Sequence, residues 1–383
     1  MRPQPSPTYL DNAATSFPKP DEVYQGMDRF LRECGASPGR GGYTAAAHAA
    51  RAVMQARQKV ARFLGAADAR RVIWTSGCTA ALNLALKGLL HPGDTVVATH
   101  LEHNAVARPL RSLEAKGVRL VRVPCPAARF DCDAYLRALE EAPALAVIPH
   151  ASNVTGEVLP LAEVGAACRA LGVPLLVDAA QTAGALPVDV AHCSLLAIPG
   201  HKGLFGPPGI GALWVGPEIV LEPLIEGGTG SQSEMDRQPD RLPERFESGT
   251  LNTPGIVGLD AGVTWVERVG REVIHAREQE WTALLWEGLG KIDGVHRHGP
   301  PPGPERAAVV SFTLGGWAPT DLAAVLDEAF GVQCRAGLHC APWAHVALGT
   351  FPSGTVRLSP GYFNTEAELE RALDAVRQVA GGG

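Results

Sequence analysis

The sequence lacks the apolar runs and leader features of a membrane or secreted protein. No stretch approaches the roughly 18 consecutive apolar residues that mark a membrane-spanning helix. The N-terminal stretch MRPQPSPTYLDNAATS has neither the apolar segment nor the small-residue cleavage site of a secretory signal. We therefore expect a protein of the cytoplasm with no membrane partner.

The chain also lacks an excess of basic residues and the paired cysteines of a zinc site. It carries 34 lysine and arginine residues against 40 aspartate and glutamate residues, a net charge of −6. This balance, without any basic run, disfavours a nucleic-acid partner. None of the eight cysteines forms a Cys-x-x-Cys pair, so the spacing disfavours a structural metal site. In the cytoplasm these cysteines should be free thiols.

Between residues 44 and 216, short apolar segments alternate with helical patterns. The apolar segments predict strands at 71–76, 94–100, 118–124, 144–152, 174–181, 194–200 and 211–216. The helical patterns predict helices at 44–64, 79–90, 133–142 and 161–172. Such alternation is typical of a mostly parallel sheet covered on both faces. The predicted fold class is therefore α/β, in which ligands bind at the carboxyl ends of the strands.

The pattern changes after residue 217, and 383 residues exceed one ordinary core. The polar segment 225–255 is long enough to be functional or disordered. It is followed by an α+β pattern: helices at 256–290, 319–330 and 365–380, and strands at 308–314, 332–337 and 355–360. We predict an N-terminal segment, 1–20, packing with a small C-terminal domain, 256–383, beside a large domain, 21–255.

A lysine stands in an apolar stretch, IPGHKGLFGPPGIG, residues 198–211. No carboxylate lies within ten residues of Lys202 on either side, and lysine is rarely buried without a partner. A snorkelling lysine that reaches solvent is the ordinary alternative. If Lys202 is buried, its amine has a depressed pKa and is available as a neutral nucleophile.

Three further features follow predicted strands. The turn Gly77-Cys78-Thr79 opens a helix and so offers an anion site, although most such turns only cap helices. His103 could stack on an aromatic ligand or lie on the surface. Asp178 closes an apolar strand and needs a partner, which could be a metal, sugar hydroxyls or a ring nitrogen. With Lys202, the set fits pyridoxal 5′-phosphate, whose ring nitrogen an aspartate keeps protonated.

These residues lie in motifs that span the whole chain. The motifs are YLDNAATS (9–16), TSGCTAALN (75–83), LEHNAV (101–106), HASNVTGE (150–157), VDAAQTAG (177–184), PGHKGLFGPPGIG (199–211), ESGTLNTPGI (247–256), RAGLHCAP (335–342) and VRLSPGYFNT (356–365). In them the chain resembles the class V, fold-type I pyridoxal-phosphate enzymes, specifically the group II cysteine desulfurases and selenocysteine lyases. The resemblance implies a large domain with a seven-stranded sheet, a small domain carrying the nucleophile loop, and a homodimer.

The resemblance also implies roles for individual residues. The residues implied to contact the cofactor are Gly77, Cys78, Thr79, His103, Asn153, Asp178, Gln181, His201, Lys202 and Thr250. Lys202 bonds the cofactor aldehyde and moves the Cα proton, His103 stacks on the ring, and Thr250 reaches the phosphate of a neighbouring subunit. Arg357, with Arg335 and Asn153 close by, binds the substrate carboxylate.

Cys340 is the predicted nucleophile. It lies in Arg335-Ala-Gly-Leu-His339-Cys340, a complete match to the Arg-x-Gly-x-His-Cys motif of the group II desulfurases. Nearby arginines favour a thiolate, whereas cysteines 125, 132, 168 and 193 have ordinary interpretations as small buried or surface side chains. The resemblance implies transfer of sulfur from L-cysteine, or a related thio- or seleno-amino acid, to Cys340, release of alanine, and delivery to an acceptor in iron–sulfur cluster assembly.

Four positions depart from the family pattern: Pro199, Cys78, Asn104 and Leu338. They suggest a side branch with a different substrate or acceptor. Another class V reaction, such as an aminotransferase, racemase or C–S lyase, remains an alternative, as does a sulfur-relay scaffold without cofactor. The Cys340 motif argues against another class V reaction. The Asp178–Lys202 pair argues against a scaffold without cofactor.

Overall fold

A computed structural model describes residues 7–39, 41–231, 234–303 and 306–382. Besides short 3-10 turns, the elements in chain order are β1 (Thr8–Tyr9), α1 (Asp21–Glu33), α2 (Thr44–Phe63), β2 (Val72–Thr75), α3 (Cys78–Leu89), β3 (Thr95–Thr99), α4 (Asn104–Glu114), β4 (Arg119–Val123), α5 (Cys132–Leu139), β5 (Leu145–Pro149), α6 (Leu161–Leu171), β6 (Leu175–Asp178), β7 (Leu195–Pro199), β8 (Gly211–Val215), α7 (Thr253–Val269), α8 (Arg271–Leu289), β9 (Val295–His298), β10 (Val310–Leu314), α9 (Pro319–Phe330), β11 (Val332–Gln333), β12 (Arg335–Gly337), α10 (Pro342–Leu348), β13 (Thr355–Leu358) and α11 (Glu366–Gly381).

The large unit is built on a seven-stranded sheet in the order β2-β8-β7-β6-β5-β3-β4. Its strands run parallel except β8, which is antiparallel to both of its neighbours. Alternate side chains enter two apolar clusters on opposite faces, as Ile73 and Trp74 of β2 do. The predicted α/β fold with a mostly parallel sheet covered on both faces is confirmed. The carboxyl ends of six strands therefore meet at one edge.

The small unit has its own antiparallel sheet, in the order β12-β13-β10-β9, and a separate core. The predicted strand at 332–337 is two strands in different sheets. β11 pairs in parallel with β1, whereas β12 pairs with β13. The N-terminal strand thus packs on the small unit, and Leu10 lies in its core.

The predicted helical stretch 256–290 is two helices, α7 and α8, which meet at Gly270. Gly270 has a φ of +93°, a conformation that side chains rarely adopt, and the helix breaks there. Helix α7 packs against α1 and α2 and buries Ile256 and Leu259 in the core of the large unit. The predicted domain boundary at 255 falls inside the first turn of α7. Ile274, in the first turn of α8, also lies in the core of the large unit, and the domain bounds stay a prediction.

Helices α1, α4 and α10 and strand β9 have no counterpart among the sequence predictions. In α4 the helical pattern is interrupted by Pro109, which nevertheless lies inside the helix. In the described part of the chain, no helix combines the length and apolar character needed to span a bilayer. The same residues include no group of three or more His, Cys, Asp or Glu placed to hold a metal ion.

Two glycines allow the loop after β7 to pack against the turn after β6. Gly184 has a φ of +110°, and a Cβ there would lie 2.0 Å from the carbonyl oxygen of Gly203. A Cβ on Gly203 would lie 2.5 Å from the carbonyl oxygen of Ala183. The backbones touch, so this approach requires glycine at both positions.

Gly184→Ala should therefore lower the free energy of unfolding by at least about 3 kcal/mol, because the new Cβ overlaps a backbone oxygen that cannot move away. Gly172→Ala is the matched control: Gly172 also has a positive φ, +67°, but a Cβ there meets open space. Its cost should be about 1 kcal/mol, from backbone strain alone. Urea unfolding of both variants measures the difference, and equal losses would contradict the packing argument.

Candidate active site

A cavity of about 350 Å³ lies at the carboxyl edge of the large sheet, where the small unit and the N-terminal segment cover it. Most of the predicted site residues line it: Gly77, Cys78, Thr79, His103, Asn153, Asp178, Gln181, His201, Lys202, Arg335 and Arg357. Cys340 and Thr250 are not among the described lining residues. Because parallel strands end at the same edge, residues far apart in sequence converge here.

Lys202 lines this cavity, where its side chain is half-buried. Burial lowers the pKa of its amine, and Arg357 and Arg335 lower it further, whereas Asp178 and Cys78 act in the opposite direction. Asp178 thus supplies the negative charge that Lys202 lacks along the chain. The balance favours a neutral amine more than at an exposed lysine.

Asp178 lies at the end of β6 and is held by two donors. The backbone N–H of Ala180 donates to its Oδ1 at 2.9 Å, and the Cys78 thiol contacts the same oxygen at 3.4 Å. Burial and the nearby Asp178 charge raise the pKa of Cys78 well above its ordinary value. Cys78, one of the family departures, is therefore a neutral thiol that donates to the carboxylate.

The helix N-terminus at Gly77 faces the cavity. Gly77 has a φ of +151°, and no described side chain caps the helix. The N–H groups of Cys78 and Thr79 have no intrahelical acceptor, whereas that of Ala80 donates to the carbonyl of Gly77 at 3.1 Å. Together with the helix dipole they offer hydrogen-bond donors and positive potential to an anion. Pro199, at the end of β7, also lines the cavity but has no N–H to donate.

His103 caps helix α4 and faces the same cavity. Its Nδ1 accepts the N–H of Ala105 at 3.0 Å, which leaves the proton of the neutral ring on Nε2. Burial lowers the pKa of His103 to about 4. The ring is therefore uncharged near neutral pH and can stack on a flat ligand.

The N-terminal segment crosses the cavity and binds the lysine loop, which the sequence analysis did not anticipate. The carbonyl oxygen of His201 accepts from Ser16 N (3.0 Å), Thr15 Oγ1 (3.0 Å) and Lys19 Nζ (3.1 Å). Ser16 Oγ also donates to the carbonyl of Lys202 at 3.0 Å. These bonds fix the backbone on both sides of the Lys202 Cα.

Gln181 also binds the N-terminal segment: its Nε2 donates to the carbonyl of Ala13 at 3.1 Å. The carboxamide oxygen of Gln181 remains the group that can face a ligand, since the residue lines the cavity. His201 lines it as well, and burial lowers the pKa of its ring to about 4. Both residues therefore present neutral polar groups.

Cys340 stands in a turn beside the cavity. Arg335 Nη2 lies 3.3 Å from its Sγ. His339 and Cys340 have φ angles of +47° and +57°, the left-handed region that costs non-glycine residues energy. Two bonds hold the turn: Asn153 Nδ2 donates to the carbonyl of His339 at 2.7 Å, and Asn104 N donates to that of Cys340 at 2.6 Å. The turn is thus docked onto the residue that follows His103.

Arg357 is buried, with 1% of its side chain exposed. Its Nη2 donates to Asp11 Oδ1 at 2.7 Å, and its Nη1 donates to the carbonyl of Asn153 at 3.1 Å. Asp11 is a site residue that sequence reasoning missed. Its place in the motif YLDNAATS was the available signal, but no local pattern links it to Arg357.

Thr250 lies apart from these residues, exposed at the end of the long loop. It lines a second depression, of about 280 Å³, which shares Ser76, Ala80 and Gly209 with the main cavity. The exposed side chain of Ile225 lines it too. Leu338 is the last of the four departures from the family pattern. Its carbonyl oxygen accepts the N–H of Ala341 in the turn that carries Cys340.

Comparisons with known proteins agree with this arrangement. The aminotransferase class-V family matches residues 8–372. A probable cysteine desulfurase of Methanothermobacter thermautotrophicus is 34% identical over 98% of this chain and 95% of its own length. A cysteine desulfurase of Serratia proteamaculans is 32% identical over 97% and 93%. The apo structure of a cysteine desulfurase from Thermococcus onnurineus superposes with a TM-score of 0.92, at 32% identity, covering 98% and 95% of the two chains.

The Arg335 contact predicts the reactivity of Cys340. A thiolate there has the guanidinium as its counter-charge, so Arg335→Met should slow alkylation of Cys340 by iodoacetamide at pH 7 by about tenfold. Peptide mass mapping follows Cys340 separately from the other cysteines. Arg335→Lys, which keeps the charge, should recover part of the rate. An unchanged rate in Arg335→Met would show that the contact does not govern the thiol.

The histidines behind the cysteine turn predict a pH dependence of stability. His345 is fully buried, and burial lowers its pKa to about 4. Between pH 6.5 and 4 the unfolded chain binds a proton that the folded ring does not, so the free energy of unfolding falls as the pH falls. In His345→Gln the loss between pH 7 and pH 5 should be about 2 kcal/mol smaller. Urea unfolding at both pH values measures it, and an identical loss in both proteins would contradict the assignment.

Proposed function

We propose that this chain, which belongs to the aminotransferase class-V family, is a pyridoxal-phosphate-dependent cysteine desulfurase that moves sulfur from L-cysteine onto Cys340. The observation that carries the proposal is the Cys340 thiol, 3.3 Å from Arg335, beside a cavity that both Lys202 and Asp178 line. An aminotransferase needs the lysine and the aspartate but has no use for a thiol there. The relatives named above support the same activity.

The residues of the cavity fit pyridoxal phosphate. The uncapped first turn at Gly77 would bind the phosphate. Asp178 would pair with the ring nitrogen, and Gln181 and Asn153 would contact the ring hydroxyl. Desolvation of the Lys202 amine lowers its pKa and keeps it available to an aldehyde. When bound, the cofactor supplies that aldehyde and a ring that withdraws electrons from the substrate Cα.

Arg357, with Asn153 close by, would bind the substrate carboxylate. The guanidinium lines the cavity, and its Nη1 donates to the carbonyl of Asn153. Guanidinium and carboxylate pair through two parallel bonds, which fixes orientation as well as affinity. Lys202 lines the same cavity as Arg357, so a substrate anchored at the guanidinium would present its Cα proton to the neutral amine.

The sulfur step belongs to Cys340. Its thiolate, with Arg335 as counter-charge, bonds to the substrate sulfur as the Cβ–S bond breaks. The electron pair of that bond stays with Cβ, which takes a proton, and alanine leaves. Cys340 then carries the sulfane sulfur as a persulfide, which a second thiol attacks. Because Asn104 and Asn153 hold the turn, the thiol needs no large movement to be placed beside the cavity.

The same proposal includes a homodimer and a sulfur acceptor. Thr250 is exposed and does not line the main cavity of its own chain, as expected of a residue that serves a neighbouring subunit. The long loop is attached through a buried ion pair, Arg57 with Glu247 at 2.6 Å. The acceptor would be a thiol of the cytoplasmic iron–sulfur cluster machinery.

The test is product analysis. The holoenzyme with L-cysteine and a reductant should release alanine and sulfide in equal amounts. Cys340→Ala should lose at least a hundredfold in sulfide release while its cofactor absorption persists, because the cavity residues remain. Lys202→Ala should lose both the activity and the covalent absorption band.

Cys34→Ser is the matched control, since Cys34 lies on the end of α1 with its thiol bonded to the carbonyl of Ala45. Its activity should equal that of the wild type. Release of pyruvate by the wild type would overturn the desulfurase proposal in favour of a lyase. Undiminished sulfide release by Cys340→Ala would remove Cys340 from the mechanism.

A further inference from the structure

Two arginines face each other across neighbouring strands of the small unit. Arg335 of β12 and Arg357 of β13 are register partners, and both line the cavity. Like charges directly opposite on antiparallel strands repel and destabilise the pair. Each guanidinium has a different partner: Arg335 contacts the Cys340 thiol, and Arg357 pairs with Asp11.

Asp11 is held rigidly beside Arg357 by its backbone. It forms a bridge with Ser359, two residues beyond Arg357. Ser359 N donates to the carbonyl of Leu10 at 2.8 Å, and Ala13 N donates to Ser359 Oγ at 3.0 Å. The carboxylate is therefore set against the guanidinium by main-chain bonds rather than by a flexible side chain alone.

We propose that Asp11 is a positioning residue for the substrate carboxylate, acting through Arg357. By accepting from Nη2 it fixes the plane of the guanidinium and keeps Arg357 from competing with Arg335 for Cys340. The inference rests on the proposed function, which places the substrate carboxylate at Arg357.

The hydrogen-bond count of Arg357 supports this role. A guanidinium has five N–H bonds. One on Nη2 goes to Asp11 and one on Nη1 goes to the carbonyl of Asn153. One N–H remains on each terminal nitrogen, and a carboxylate can engage such a pair with both oxygens. Nε has no partner among the described residues. Asp11 and the carbonyl of Asn153 thus orient the Arg357 guanidinium and leave it N–H groups that can bind a carboxylate.

Two substitutions separate orientation from charge. Asp11→Asn keeps an oxygen that can accept from Nη2, so the KM for L-cysteine should stay within threefold of wild type. Asp11→Ala removes the acceptor and frees the guanidinium, so KM should rise at least tenfold. kcat should change less than threefold in both, because the lysine and the cysteine are untouched.

Binding probes make the test independent of turnover. L-Alanine retains the carboxylate, whereas cysteamine lacks it. Titrations that follow cofactor absorption should show at least tenfold weaker L-alanine binding in Asp11→Ala and unchanged cysteamine binding. Glu22→Ala is the control: Glu22 also pairs with an arginine, Arg268, at 2.6 Å, but on the surface.

The possible outcomes are distinct. A KM and L-alanine affinity within threefold of wild type in Asp11→Ala would overturn the positioning role. Equal weakening of both probes would assign Asp11 to general folding and overturn it too. Failure of the desulfurase proposal would appear as absence of sulfide from the wild type, while the L-alanine titration would still decide the role of Asp11.

Discussion

The desolvation of the Lys202 amine is the constraint on which the rest of the site depends. A buried ammonium is costly, so the surroundings must either pair the charge or favour the neutral form. The Asp178 carboxylate pairs the charge in part, and the nearby Arg335 and Arg357 favour the neutral amine. The loop reaches this position because Gly184 and Gly203 let two backbones touch. That packing suits the amine to act as a neutral nucleophile.

The same cavity concentrates cations that need separate partners. Arg357 is paired with Asp11, and Arg335 is paired with Cys340. These pairings give two arginines, adjacent across a strand pair, different tasks: one suits a substrate carboxylate and the other a thiolate. The strained turn at His339 and Cys340 persists because Asn153 and Asn104 hold its carbonyls. Backbone strain of this kind is sustained where surrounding bonds over-determine the conformation.

Local patterns predicted much of this molecule. Short apolar runs located the strands of the large sheet to within a few residues, and strand ends located the cavity, because parallel strands end at one edge. Prediction was poorer where the pattern was ambiguous. A single helical stretch could not show the break at Gly270, and one predicted strand could not show that residues 332–337 serve two sheets.

The sequence by itself determined the residue types of the site, the α/β order of elements and the motif that carries Cys340, because each depends on neighbours along the chain. Only the tertiary structure decided which groups pair. Asp11 and Arg357 are 346 residues apart, and Asn104 meets Cys340 through backbone atoms that carry no residue-specific signal. Such contacts depend on how the N-terminal segment and the small unit close over the sheet, which no local periodicity encodes.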